Sequence, residues 1–210
     1  MHIGERLLSI LSRAESSVRI AAPFIKIHSL ERALSEIPAE VEVTCVTRWR
    51  AEDIASGVCD LEIFDHLQNR KNASLLVHPQ LHAKFFASNN VCLVGSANMT
   101  HTALGWRSPS NLELFVELDA HEHDLNEWWA KLLESSIVAT QAMKAALADQ
   151  AEACRVIHFH VQKQTQKTSL MELFGRHSVQ DGLDFGKLMS ATRINCQPAP
   201  CSQQRQTLQS

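Results

Sequence analysis

His82 and Lys84 stand two residues apart in "LHAKFFAS", and Gly95-Ser96-Ala97-Asn98 closes the apolar run that follows. These residue types at this spacing suit one task, the handling of a phosphate. A neutral imidazole can attack phosphorus, and a protonated one can give its proton to a leaving oxygen. On a strand, Lys84 would project to the same side as His82, where its ammonium would neutralise a phosphate. Ser96 and Asn98 offer neutral donors to non-bridging oxygens, and Gly95 lets the backbone approach closely. Taken singly, each feature has a plainer reading. An H-x-K on a strand can be a solvent-exposed pair, and a G-S-A-N step can be a strand-to-helix turn with Ser or Asn as its cap. Their coincidence within one short stretch is what directs attention to phosphodiester chemistry.

The surrounding chain must supply a scaffold that holds these residues together. Its patterning predicts an α/β fold with a mixed sheet flanked by helices. Ile3, Leu7, Leu8, Ile10, Leu11 and Ala14 form one side of an amphipathic first helix. Strands are expected over residues 17–24, 40–48 and 73–79, with helices over 28–37 and 50–70 between them, the alternation of a parallel sheet. The pattern then shifts to closely spaced strands at "LHAKFFAS", "VCLVGS" and "NLELFVEL". Asn89-Asn90 between the first two is a hairpin signal, because Asn tolerates positive φ. A long helix is expected over 121–150, carrying Trp128 and Trp129 as core or dimer-contact residues. Beyond it, 155–161 alternates like a strand, 169–175 reads as one or two helical turns, and 195–210 is polar and weakly structured. The domain reading is therefore a catalytic unit over 1–150 and a small extension with a loose tail over 151–210.

Composition limits the alternatives. A chain of 210 residues with 45% hydrophobic and 20% charged residues can bury a sizeable core. A net charge of −3 argues against a strongly basic nucleic-acid binder, but leaves room for a local basic site. No run approaches the length of a membrane span, and the start lacks the features of a signal peptide, so a cytoplasmic location is expected. Six cysteines without a C-x-x-C spacing read as reduced thiols. His121 with His123 and His158 with His160 form H-x-H pairs, but no further ligand spacing accompanies them, and no metal or cofactor is assigned. Lys26, Arg48 and Arg50 follow predicted strand ends, where open α/β sheets collect ligands. They read either as an ordinary solvated loop or as contacts to flanking phosphates.

"HAK" followed by "GSAN" and then "NLE" resembles the single-motif members of the phospholipase D superfamily. Their hallmark is H-x-K, then Asp, then G-S-x-N, with N-x-E following in the nuclease branch. "IAAPFIK" and "VTRWRAEDIASGVCDLEIF" look similar to the family's segments upstream of the motif, so the resemblance covers about residues 1–150. One position departs, because Asn89 stands where the family has its Asp. The resemblance implies a metal-free phosphodiesterase in which His82 forms a phosphohistidine. Lys84, Ser96 and Asn98 would bind the phosphate, and Glu113 would accept a hydrogen bond from the far ring nitrogen of His82. The chemistry calls for two histidines and the chain has one motif, so a homodimer pairing two copies of His82 is expected. Nucleic acid, DNA before RNA, is the expected substrate, with other chains of a restriction or defence system as further partners. The alternative is a catalytically impaired binding module that kept the fold.

Overall fold

Runs rich in Val, Ile and Leu become strands and the 3.6-spaced segments become helices, as their periodicities require. The computed structural model describes residues 3 to 167, and one compact unit extends as far as Lys163. Helix α1 (Ile3–Leu11) leads into β1 (Ser17–Ala21). Helix α2 (Ile27–Glu36) then connects to β2 (Glu42–Thr47), and α3 (Ala51–Ala55) with α4 (Ile63–Gln68) connects to β3 (Ala73–Val77). These three strands are parallel. Strands β4 (Phe85–Ser88), β5 (Val91–Gly95) and β6 (Phe115–Asp119) follow, each antiparallel to its neighbour, with β4 pairing β1. Helix α5 (His123–Glu134), the short β7 (Ile137–Val138) and helix α6 (Gln141–Lys167) complete the described chain. Among the described residues the sheet order is β6-β5-β4-β1-β2-β3-β7, the mixed sheet that the sequence predicts.

The sheet has two unequal faces. One packs Ile20, Val43 and Phe86 against apolar stripes of the helices, including Leu7, Leu30 and Ile63. The other carries Ala21, Val46, Phe85, Ala87 and Cys92 beneath Trp129 and Leu132 of α5. Phe85 stacks on Trp129 with ring centroids 5.5 Å apart, which makes this tryptophan a core element, as expected. Helix α5 leaves the β6 end of this face bare. Val116, opposite Val94, is 50% exposed, while Leu114 and Leu112 just before the strand reach 69% and 103%.

The β4–β5 hairpin turns on Asn89, whose φ of 51° is the left-handed geometry that Asn tolerates. Its side chain makes two contacts of opposite polarity. Oδ1 accepts from the Glu15 amide at 3.0 Å, and Nδ2 donates to the Arg13 carbonyl at 2.6 Å. An Asp could accept there but could not donate, which accounts physically for the amide.

Four expected elements differ, the first being the strand anticipated over 111–118, which starts at Phe115 and leaves Asn111 and Glu113 in the segment before it. The strand anticipated from Leu81 starts at Phe85, so His82 and Lys84 lie in the loop that leads into it. Strand β1 ends opposite Phe85, and the Pro23 that soon follows has no N–H with which to continue a ladder. The helix anticipated over 121–150 is two helices, because β7 breaks out to pair with the free edge of β3. Ser135 and Ser136 close α5 by donating to the carbonyls of Lys131 and Leu132. Finally, the strand anticipated at 155–161 is part of α6. Met143, Leu147 and Ala151 seat this helix on the core, and extending a seated helix costs less than starting a new element. Residues 169–175 and 195–210 lie outside the described residues. Among the described residues no helix is long and apolar enough to cross a membrane, and Cys45, Cys59, Cys92 and Cys154 are free thiols.

Candidate active site

The open end of the β4–β5 hairpin joins the two halves of the motif. The Gly95 amide donates to the Lys84 carbonyl at 3.2 Å, placing the H-x-K loop directly beside the G-S-x-N turn. The Lys84 ammonium folds back to the His82 carbonyl at 2.8 Å. The His82 side chain is exposed, and its ring has no hydrogen-bonding partner among the described residues. An exposed, unbonded imidazole is free to meet a substrate.

Glu113 arrives from the segment that precedes β6. The Ser96 amide donates to the Leu114 carbonyl at 3.0 Å, and the Leu114 amide donates to the Ser96 hydroxyl oxygen at 3.0 Å. Gly95 makes this crossing possible, since a Cβ there would stand 2.0 Å from the Leu114 carbonyl oxygen. The Ser96 hydroxyl donates to Glu113, whose other oxygen accepts from Asn111 Nδ2 at 3.0 Å. In this chain the partners of Glu113 are therefore Ser96 and Asn111, and it makes no bond to His82. Asn98 is held from the other side, with Oδ1 accepting from the Phe24 amide at 3.3 Å.

Lys84 also lies in a mixed field. Burial holds its pKa below the ordinary lysine value; Glu113 opposes that shift and Arg48 adds to it. Lys84, Glu113 and Arg48 thus share one electrostatic neighbourhood.

The structure spends the three upstream cations internally. Arg48 forms an ion pair with Asp53 at 2.9 Å and lies over the Phe24 ring, 5.0 Å from its centroid. Lys26 is paired with Asp60 and also donates to the Gly57 carbonyl at 3.0 Å. Arg50 donates twice to the Pro79 carbonyl, at 3.1 and 2.7 Å. These contacts tie down the loops around the motif.

Residues 7–137 match the family described as cardiolipin synthase, PLD-like domain. The chain belongs to the phospholipase D-like family. No curated protein sequence matches this phospholipase D-like chain. Among solved structures it is similar to NucT from Helicobacter pylori, with 19% identity and a TM-score of 0.53, covering 64% of this chain and 89% of that one. It is also similar to the phosphatidylserine synthase of Haemophilus influenzae Rd KW20, with 12% identity and a TM-score of 0.53. That match covers 72% of this phospholipase D-like chain and 40% of the synthase. Both likenesses concern the fold.

Sequence reasoning about the site passed over Asn111 and the neighbouring Arg107, His28 and His101. Asn111 is the first residue of the N-x-E match, a signal that was available. The other three carry no local pattern. The path of the chain from Asn98 to Asn111 brings Arg107 and His101 beside the start of α2, which carries His28.

Proposed function

We propose that this phospholipase D-like chain is a phosphodiesterase that cleaves nucleic acid through a covalent phosphohistidine at His82, acting as a homodimer without a metal. The observation that carries the reading is the junction of Lys84, Ser96, Asn98 and Glu113 at the open end of one hairpin, beside an exposed and unbonded His82. The negative charge of the phosphate would be met by Lys84, with Ser96 and Asn98 donating to its oxygens. A His82 ring nitrogen would attack phosphorus as the bond to the leaving oxygen breaks. That oxygen would take a proton from His82 of the partner subunit. Water would then attack the phosphohistidine, with the partner's His82 as base, releasing the phosphate product and restoring the free imidazole. Once phosphate takes the Ser96 hydroxyl, a Glu113 oxygen is released to orient His82.

The homodimer is supported by the bare end of the sheet. Leu112, Leu114 and Val116 alternate along the segment that also carries Glu113, so an apolar surface adjoins the candidate site. A two-fold contact there would bring two motif loops toward one axis.

The test is hydrolysis of plasmid DNA, RNA and a small phosphodiester in excess EDTA. Wild type is expected to turn over, and His82→Ala to lose at least about a thousandfold. Activity that survives His82→Ala, or that chelation abolishes, overturns the mechanism. Sedimentation velocity of wild type and of Leu114→Glu tests the homodimer, since the charge should leave a monomer with little activity.

A further inference from the structure

An open groove of about 610 Å³ runs away from the candidate site between the start of α2 and the loop from Asn98 to Asn111. Both asparagines line it, so it is continuous with the motif. Its size falls in the range of about 300 to 1,000 Å³ typical of ligand sites. Among the described residues no Asp or Glu lines it, although the chain as a whole is acidic. Lys26, His28, His101 and Arg107 do, together with the hydroxyl-bearing Thr100 and Thr102.

These groups differ in how far they are already committed. Lys26 is held by Asp60. His28 leans toward Glu31 at 3.2 Å, and the His101 ring shares a hydrogen bond with the Ser29 hydroxyl at 2.7 Å. Arg107 is exposed and has no carboxylate partner among the described residues. A guanidinium left unpaired in an acid-free groove beside a phosphate-handling motif has a clear complement, a second phosphate.

We infer that this groove is a subsite for the nucleotide flanking the scissile phosphate of a polynucleotide, with Arg107 contacting that nucleotide's phosphate. The inference rests on the phosphodiesterase reading and extends it. A small phosphodiester would occupy the motif alone, whereas a polynucleotide would continue into the groove. The groove therefore confers a preference for polymeric substrate without touching the reacting atoms. The contact is to the backbone and reads no bases.

Steady-state kinetics of full-length wild type, Arg107→Ala and Arg107→Lys on an oligonucleotide and on bis(p-nitrophenyl) phosphate test it. For Arg107→Ala, the ratio of oligonucleotide to small-ester kcat/KM should fall about tenfold, chiefly through KM, with Arg107→Lys recovering part of the loss. The salt dependence of oligonucleotide KM should weaken by about one unit of log–log slope. An unchanged ratio, or equal losses on both substrates, overturns the subsite and leaves the phosphodiesterase reading standing. If wild type hydrolyses neither substrate, that reading fails, and anisotropy of a labelled oligonucleotide decides the groove alone. Binding weakened by Arg107→Glu supports the subsite; no binding, or binding indifferent to the charge reversal, overturns it. Greater dependence on Arg107 for phosphatidylglycerol vesicles than for oligonucleotide would reassign the groove to lipid and also overturn it.

Discussion

The loop leading into β4 and the loop leaving β2 both put cations beside the motif, and they use them differently. Arg48 and Arg50, after β2, are consumed by Asp53 and the Pro79 carbonyl. Lys84, before β4, faces only a backbone carbonyl and a partly shared carboxylate field. A positive charge near a site becomes a ligand contact only when the protein has not already neutralised it. The first loop spends charge on its own shape, and the second keeps it available at some cost in desolvation.

The sharpest test of this contrast is Lys84→Ala. Activity should fall about a hundredfold to a thousandfold, in the range seen when one donor to a developing charge is removed. The melting temperature should hold or rise slightly, because a partly buried cation is gone. A large loss of stability in a calorimetric scan would place Lys84 with the structural cations and break the contrast.

Arg48→Ala should do the reverse. Its side chain and that of Asp53 are 14% and 17% exposed, so removing the guanidinium strands a mostly buried carboxylate. A loss of about 3 kcal/mol is expected from denaturant titration, with activity per folded molecule nearly retained. Retained stability with lost activity would make Arg48 a substrate contact after all.

The pH dependence sharpens the comparison further. Since burial favours the neutral form of Lys84, the alkaline limb of activity should lie below pH 10.5, the ordinary lysine value. Between the folded and unfolded pKa values the unfolded state holds more protons, so this group's contribution to stability rises with pH there. Arg48 adds to the depression, so Arg48→Ala should move the limb upward. A limb that stays in place in Arg48→Ala and disappears in Lys84→Ala would leave burial as its sole cause.

The smallest effect is expected at Asn89→Asp. The carboxylate would face the Arg13 carbonyl without a donor, costing about 1 kcal/mol by thermal or chemical unfolding. kcat should stay within about twofold, since Asn89 is bonded to the chain after α1 and not to the motif. A gain in kcat would instead tie this position to the chemistry.

Much of this was legible because local patterns carry it. The shift from helix-linked strands to a hairpin is written in the spacing of apolar runs, and Asn89 declares its own turn through φ. The motif was legible because its residue types have few joint uses. The bonds of Glu113 to Ser96 and Asn111 were not, because they depend on a backbone crossing set by Gly95 and Leu114. The split of the helix over 121–150 was hidden too, since both halves have helical periodicity and only an open edge on β3 draws Ile137 and Val138 out.

The amino-acid sequence by itself determined the family, the mixed α/β plan and which residues are candidates for handling a phosphate. Those properties follow from residue chemistry and from periods of two and 3.6, both of which are local. Tertiary structure alone decided which cations are spent, which carboxylate holds Ser96 and where an acid-free groove opens. Each of these depends on distances between residues far apart in the chain, and a Coulombic or hydrogen-bonding partner exists only once folding has set that distance.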